Sequence, residues 1–377
     1  MEKYTFIDLF AGCGGLSLGL EQAGFKPVFV NEIIPQFAET YRINRELDKS
    51  SVFVGDIRDL NNEFSIGHRR FDNVTLVCGG PPCQGFSMAN RQRIIDDPRN
   101  MLYKEYLKFL CAVRPAFFIM ENVRGMQSRW DEIEADFNNF LNQDGHTYNF
   151  TGKLLLAEDF GVPQHRERFI VIGNRLGIDP EEIFNKIFSL KRTPFVLRDA
   201  LLGLPSLGVK SQKGKNDIED DNSGYTQIDF EYPETDFYHF INGEKKLSVL
   251  YNHKNRYNNP RDVEIYTRLP QGANSLHPSI ADIMPYARRN DIFKDKYFKL
   301  QEDRICRTIT SHMRYDCNMY IHPWYSRGLS PREAARIQTF PDDFIFYGAQ
   351  NMWYAQIGNA VPVKLANVIG TAIASFL

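Results

Sequence analysis

Short apolar runs alternate with amphipathic stretches over the first 175 residues of this 377-residue chain. The apolar runs predict strands over 4–9, 27–31, 52–54, 73–78, 116–121 and 168–173. Between several of them, apolar positions at helical spacing predict helices over 15–23, 35–45, 101–113 and 129–141. Such alternation builds βαβ units, hence an α/β fold with a mostly parallel, doubly wound sheet. In open sheets of this kind, ligands bind beyond the carboxyl ends of the strands. Past about residue 190 the alternation stops. Residues 205–229, rich in Gly, Ser, Lys, Asn and Asp, read as surface loop. The aromatic and basic residues that follow, among them Tyr232, Phe237, Tyr238, Tyr251, Arg256 and Tyr257, keep no clear period. Ser330-Pro331-Arg332-Glu333 has the form of a capping box with proline at the first helical position, and predicts a helix through about Thr339. Residues 361–377 are apolar at helical spacing and are expected to pack on a core.

Composition is that of an ordinary globular protein, 43% hydrophobic and 24% charged. The length allows one large domain or two unequal ones. A formal net charge of −2 provides no global positive field, so a nucleic-acid partner requires basic residues gathered on one face. Residues 288–314 hold eight Lys/Arg against four Asp/Glu, which suits such a face and equally a solvated surface. The six cysteines, at 13, 78, 83, 111, 306 and 317, form no C-x-x-C pair and the eight histidines are scattered, so a metal centre has no support. Free thiols fit a reducing compartment. The amino terminus has no signal-peptide character, and no apolar run approaches the roughly 20 residues of a spanning helix. A cytoplasmic protein without a membrane partner is expected.

The most informative segment is Gly79-Gly80-Pro81-Pro82-Cys83-Gln84-Gly85-Phe86-Ser87. A buried strand ends at the glycine pair. Two prolines then fix φ at roughly −65° and remove two backbone donors, so a stiff turn presents Cys83. A lone Cys is more often a small buried hydrophobe; one held on such a turn is poised to attack. The glycines of Asp8-Leu9-Phe10-Ala11-Gly12-Cys13-Gly14-Gly15-Leu16 allow close approach of the backbone to a ligand, although the run is not the dinucleotide G-x-G-x-x-G. Glu32 ends the second strand, where a carboxylate can accept from ribose hydroxyls. Asp56 ends the third and can accept from an adenine amino group. Each alone could cap a helix; together they describe a nucleoside site. Glu121 follows an apolar strand, where partial desolvation raises a carboxyl pKa and suits hydrogen bonding or proton donation to a base ring. Arg166 and Arg168 alternate along an extended segment and share a face with Gln164. Guanidinium groups there could hold a carbonyl or phosphate oxygen or orient Glu121, with a surface ion-pair cluster as the plain alternative.

In chain order, Phe10-Ala11-Gly12-Cys13-Gly14-Gly15, Pro81-Pro82-Cys83-Gln84, Glu121-Asn122-Val123, Gln164-x-Arg166-x-Arg168, Pro331-Arg332-Glu333-Ala334-Ala335-Arg336-Ile337-Gln338-Thr339-Phe340-Pro341 and Gln356-Ile357-Gly358-Asn359-Ala360-Val361-Pro362 resemble the DNA cytosine-5 methyltransferase family. The resemblance covers residues 4–175 and 304–377. Nothing aligns between 190 and 303, where the family keeps its variable target-recognition region. It implies an S-adenosylmethionine-dependent methyltransferase fold, a Rossmann-like doubly wound sheet with a smaller, irregular target-recognition domain. Residues 1–189 would be the catalytic and cofactor-binding domain. Residues 190–340 would form the small target-recognition domain across a DNA cleft, with 341–377 returning to the catalytic domain.

The resemblance also implies roles. The Cys83 thiolate adds to carbon 6 of a cytosine flipped out of double-stranded DNA. Glu121 hydrogen-bonds or protonates N3, Arg168 contacts the base carbonyl, and Arg166 steadies a phosphate or the Cys83 loop. Gln84, Ser87 and Asn122 serve the substrate side, the first two by filling the vacated stack or holding a flanking phosphate. For the cofactor S-adenosyl-L-methionine, Phe10, Gly12, Gly14 and Leu16 line the methionine and ribose side. Glu32 takes the ribose hydroxyls, Ile33 the adenine face, and Asp56 with Ile57 the adenine edge. Pro81 sits near the sulfonium, and Asn359 and Val361 close the pocket, while Cys13 packs. A compact chain without regulatory domains resembles the bacterial restriction–modification type, implying a monomer, a cognate restriction endonuclease acting on the same site, and association with the nucleoid. Three alternatives remain: methylation of a transfer RNA cytosine, a catalytically silent DNA-binding homologue, and a nicotinamide oxidoreductase. The second would lack Cys83 or Glu121, and the third would need the missing glycine fingerprint. The long segment before Arg304 favours duplex DNA over transfer RNA, because groove readout needs extended loops.

Overall fold

The computed structural model describes residues 4–377 apart from 46, 66, 68, 83–100, 144, 146, 211, 215–217 and 286–295. The chain divides into two compact units, one of residues 1–161, 166–193 and 360–377, the other of 162–165 and 194–359.

In the first unit, seven strands make one sheet: β1 (Thr5–Leu9), β2 (Lys26–Glu32), β3 (Val52–Val54), β4 (Leu76–Gly79), β5 (Phe117–Val123), β6 (Asn149–Leu156) and β7 (Glu167–Asn174). Their order is β3-β2-β1-β4-β5-β7-β6. The first five run parallel, and β7 runs antiparallel to β5 and β6. All six expected strands are present, but β4 starts at Leu76 rather than 73, because Asn73 turns into the left-handed region at φ 56°. β6 was not expected. It is an edge strand, mostly half-buried, so its pairing with β7 rather than an apolar face of its own defines it.

Alternation along the strands sends Ile7, Leu9, Phe29, Val77, Phe118, Met120, Phe169 and Val171 to one face. The helices Ile57–Ser65, Leu102–Val113 and Trp130–Leu141 pack over it with Leu60, Tyr106, Leu110 and Phe137. The helices Gly15–Gln22, Pro180–Ser189 and Val363–Ala374 make a second layer, the last packing against each of the other two. A Cβ on Gly19 would lie 2.4 Å from Ala366 Cβ and from the Val363 carbonyl, so the first and last helices meet where only glycine fits. The stretch Gln350–Ala374 has the length and apolarity to cross a membrane, but 72% of its most apolar window is buried inside the protein, and the helix breaks between Asn359 and Val363.

The Asp8 carboxyl group lies inside this unit. Asp8 on β1 stands in register with Cys78 on β4 and is fully buried. Ser17 Oγ donates to it at 2.5 Å, and Ser17 also meets Tyr41 Oη at 2.7 Å. Burial, only partly offset by the Ser17 hydrogen bond and the nearby Arg45 charge, pushes the Asp8 pKa from 3.8 up to about 7.

The second unit holds a two-stranded antiparallel sheet, β8 (Gly224–Asp229) with β9 (Val249–Lys254). Its helices are Leu197–Leu201, Asp236–Asn242, Pro260–Arg268, Pro331–Ile337 and Gln350–Asn359. The expected loop over 205–229 therefore ends in a strand, and the region expected to keep no period contains two capped helices. Thr235 accepts from Tyr238 N, and Asn259 accepts from Asp262 N ahead of Pro260. The capping box at Ser330 forms both of its bonds. Its helix ends at Ile337, ahead of the expected Thr339, where φ reaches 60°. Arg327 pairs with Glu333 and Arg336 with Asp342, each at 2.7 Å and each buried.

The C-terminal return to the first unit begins at Ala360 rather than 341. Two contacts explain the delay. Arg332, fully buried, donates to the carbonyls of Pro341 at 2.9 Å and Phe344 at 2.5 Å. A Cβ on Gly358 would lie 2.2 Å from the backbone at Thr310 and Ser311.

Two stability measurements follow from this packing. Gly19→Val should cost about 3 kcal/mol in urea unfolding, since the helix contact has no room for branched carbons. The Asp8 shift fixes a pH slope. The folded chain holds that proton more tightly than the unfolded chain, so stability falls as pH rises from about 4 to about 7 and is level above. Thermal melts of Asp8→Asn against the parent across that window should shift in favour of the variant with rising pH, by about 4 kcal/mol at most.

Candidate active site and cofactor pocket

The sequence-nominated residues of the first unit gather at the carboxyl edge of β3, β2, β1, β4 and β5. After β1 the chain turns through three left-handed residues, Phe10 at φ 56°, Gly12 at 58° and Gly14 at 86°. Phe10 adopts that conformation against the preference of a side-chain-bearing residue, a strain that clusters at ligand sites. At Gly14 glycine is required by space as well, because a Cβ would lie 2.6 Å from the Tyr41 ring. At Gly12 no described atom lies within 4 Å of such a Cβ. Leu16 is buried behind the turn.

Glu32 closes β2 beneath this turn. Its Oε2 accepts from Gly12 N at 2.7 Å and its Oε1 from Ile34 N at 2.8 Å. Burial raises its pKa while these backbone bonds pull the other way. The carboxylate therefore cannot rotate away from the glycine turn. Beside it, Ile33 is 60% exposed and Val54 50% exposed, an apolar edge left uncovered by the described protein. Asp56 is engaged by Arg58, with Oδ2 2.6 Å from Nη2 and Oδ1 accepting from the Arg58 backbone at 2.9 Å. That pairing holds its pKa below the usual carboxylate range. The Ile57 side chain is committed to the core, so only its backbone faces the edge.

The β4 turn approaches its neighbours closely. A Cβ on Gly79 would lie 2.6 Å from the Leu9 carbonyl, and one on Gly80 2.9 Å from Glu121 Oε2. Pro81 is buried, and its carbonyl accepts from Asn122 Nδ2 at 2.9 Å. The turn that leads to Cys83 is thus tied to β5 at Asn122, next to Glu121. Cys83, Gln84 and Ser87 themselves lie outside the described residues.

Glu121 pairs with Ile170 and Val123 with Arg168 across β5 and β7, which puts Glu121 and Arg168 diagonally on one face. Arg168 Nε lies 2.5 Å from Glu121 Oε1, both side chains being 13% exposed. The N–H does not point along that line, so the contact is an ion pair rather than an aligned hydrogen bond; Nη1 donates to the Glu167 carbonyl at 2.8 Å. Arg166, expected on the same face, is fully buried, and its Nη2 donates to the Ala360 carbonyl at 2.8 Å. It holds the returning C-terminal segment, in which Val361 is buried. Gln164 belongs to the second unit, bonding Gln338 Oε1 at 2.7 Å and accepting from Ile309 N at 2.9 Å. Asn359 is likewise the last residue of the second unit and is exposed. Nothing in the sequence marks the contact of Asn122 or a part for Tyr41 or Arg45 in this edge; for Asp8 the signal is a polar residue in the middle of an apolar strand.

Comparison with known proteins fits this geometry. A model of the family described as C-5 cytosine-specific DNA methylase matches residues 4–375. The Type II methyltransferase M1.HphI of Haemophilus parahaemolyticus is 32% identical over 98% of this chain and 86% of its own. The Type II methyltransferase M.DdeI of Desulfomicrobium norvegicum is 30% identical, over 98% and 88%. Among solved structures, an E. coli prophage-encoded protein described as a DNA modification methyltransferase superposes with a TM-score of 0.73 at 26% identity, covering 98% of both chains. The S. pombe Dnmt2 methyltransferase shares the fold, with a TM-score of 0.56 at 15% identity over 99% of both chains. The strand order, the glycine turn over Glu32 and the match along nearly the whole length lead to one assignment: the chain belongs to the C-5 cytosine-specific DNA methylase family and is a DNA (cytosine-5)-methyltransferase that uses S-adenosyl-L-methionine.

Proposed function

We propose that this enzyme methylates a flipped-out cytosine within a specific duplex sequence through a covalent bond to Cys83, as the modification half of a restriction–modification pair. The observation that carries the assignment of roles is the Glu121–Arg168 pair at 2.5 Å, set against Gly80 at the entrance to the Cys83 turn.

Carbon 5 of cytosine is a weak nucleophile. Addition of the Cys83 thiolate to carbon 6 moves electron density onto carbon 5. Glu121 then hydrogen-bonds or protonates N3 and holds the exocyclic amino group, which neutralises the charge left by the attack. Arg168 fixes the Glu121 carboxylate in place and is near enough in sequence register to meet the base carbonyl. Asn122 acts by holding Pro81, and with it the start of the nucleophile turn. Arg166 is a positioning residue, acting through Ala360. The electron pair on carbon 5 would form the bond to the methyl group as the donor sulfur departs as a neutral thioether; loss of the carbon 5 proton to water and departure of the thiolate would then restore the ring. Gln84 and Ser87 are assigned to the vacated stack and the flanking phosphate.

S-adenosyl-L-methionine supplies the electrophilic methyl group. The described residues fit it: the space over the Gly12 backbone is open, Glu32 presents a fixed carboxylate for ribose hydroxyls, and Ile33 offers an exposed apolar face for adenine. Phe10, Gly14 and Leu16 shape the turn, Pro81 lies on the sulfonium side, and Val361 closes the pocket. Asp56 would share its carboxylate between Arg58 and the adenine amino group, beside the Ile57 backbone. We assign the first unit to catalysis and cofactor binding and the second to target recognition. A cognate endonuclease, a monomeric state and a cytoplasmic, nucleoid-associated location belong to the same reading.

The test is a labelled-methyl assay with duplex DNA and total RNA as competing substrates, with label expected in DNA alone. Cys83→Ser should bind cofactor yet trap no covalent complex on a 5-fluorocytosine duplex; full turnover by that variant would overturn the nucleophile. Glu121→Gln should lower kcat by about 10²–10⁴. DNA affinity should fall steeply between low and moderate salt as phosphate contacts release counterions.

A further inference from the structure

We propose that Arg45 is a positioning residue for the cofactor: it clamps the glycine turn from below in the shape that admits S-adenosyl-L-methionine. The inference rests on the reading that this turn faces the cofactor. It concerns a side chain that takes no part in the proposed chemistry.

Arg45 follows the helix Pro35–Ile43 and its guanidinium is 2% exposed. Every nitrogen of the fork is engaged. Nη2 donates to the Gly14 carbonyl at 2.8 Å, Nε to Glu21 Oε1 at 2.6 Å, and Nη1 to the Tyr41 carbonyl at 3.2 Å. The guanidinium carbon also lies 3.9 Å from the centre of the Tyr41 ring. That same ring and Arg45 Nη1 are the atoms that a Cβ on Gly14 would strike, at 2.6 Å and 2.8 Å. Arg45 and Tyr41 therefore form the floor of the turn. Tyr41 is anchored through Ser17 to Asp8.

A simpler role is open to any cation at a helix carboxyl terminus, namely satisfying the last carbonyls. The Tyr41 carbonyl bond is of that kind. The Gly14 and Glu21 bonds are not, because they join the helix end to the glycine turn and to the helix Gly15–Gln22 that the turn begins. A left-handed residue on a glycine-rich turn has alternative conformations of similar energy. A planar fork bonded at one end to the turn and at the other to two helices selects one of them. Lysine cannot replace it, since one ammonium on a flexible stem does not reach three acceptors in separate directions.

Loosening the floor lowers the fraction of molecules whose turn admits the cofactor, and apparent affinity falls by that fraction. The experiment is titration calorimetry of S-adenosyl-L-methionine binding to the full chain, with steady-state kinetics alongside. Arg45→Lys should raise the cofactor Kd and KM about tenfold, leaving kcat at saturating cofactor and KM for DNA within about twofold of the parent, the outcome for a competent fraction cut to a tenth. A merely structural role would instead reduce the active fraction and kcat together, with the Kd of the folded protein unmoved; that result overturns the proposal. Glu32→Gln serves as the control on the pocket itself. If it weakens binding while Arg45→Lys does not, the pocket stands and the role of Arg45 falls; if neither weakens binding, the location of the pocket falls as well. Should Arg45→Lys fail to fold, Glu21→Gln keeps the arginine, removes its carboxylate anchor and should produce a smaller rise in Kd; an unchanged Kd there counts against the proposal.

Discussion

The site depends on how closely three neighbouring strand ends approach one another. Between β1 and β4 a single carbon atom on Gly79 would sit 2.6 Å from the Leu9 carbonyl, and between β4 and β5 one on Gly80 would sit 2.9 Å from the Glu121 carboxylate. The two glycines thus let the Glu121 carboxylate lie against the backbone of the turn that leads to Cys83. A close-packed interior has no slack to absorb a larger residue there. The same economy of space recurs at Gly14 over Tyr41 and at Gly19 against the last helix.

Burial and charge are balanced differently in the two units. In the first, the interior carboxyl groups are stabilised by hydrogen bonds to Ser17, Gly12 and Ile34 rather than by direct ion pairs, and burial moves the Asp8 and Glu32 pKa values upward. In the second, Glu333 and Asp342 each face a buried arginine and are held below the usual carboxylate range despite burial. Removing one partner of such a pair leaves an uncompensated interior charge, which is far more costly than losing both.

The sheet was legible because its strands are apolar and its turns are marked by glycine and proline. The capping box at Ser330 was legible for the same reason: its pattern is local. What stayed hidden is non-local. β6 is specified by its partner β7. The end of the second unit at Asn359 follows from the fit of Gly358 against Thr310, far away in sequence. Arg332 and Arg336 are both buried, and beside their neighbours in sequence they bond distant backbone, Arg332 the Tyr251 carbonyl and Arg336 the Leu202 carbonyl. Within the site, Gly12, Glu32, Pro81, Glu121 and Arg168 could be nominated from their position at strand ends. The floor beneath them could not, since Arg45 follows a helix whose sequence gives no sign that its end reaches the glycine turn.

The reversal of β7 has a consequence for where chemistry can come from in this sheet. In a wholly parallel sheet the ligand edge is made by the carboxyl ends of the strands and the loops that leave them. A strand travelling the other way presents its first residues there instead. Arg168 stands near the beginning of β7 yet opposite Val123 near the finish of β5. A cation can thereby reach the Glu121 carboxylate from an incoming segment, while the outgoing ends of the parallel strands carry the glycine turns and Glu32.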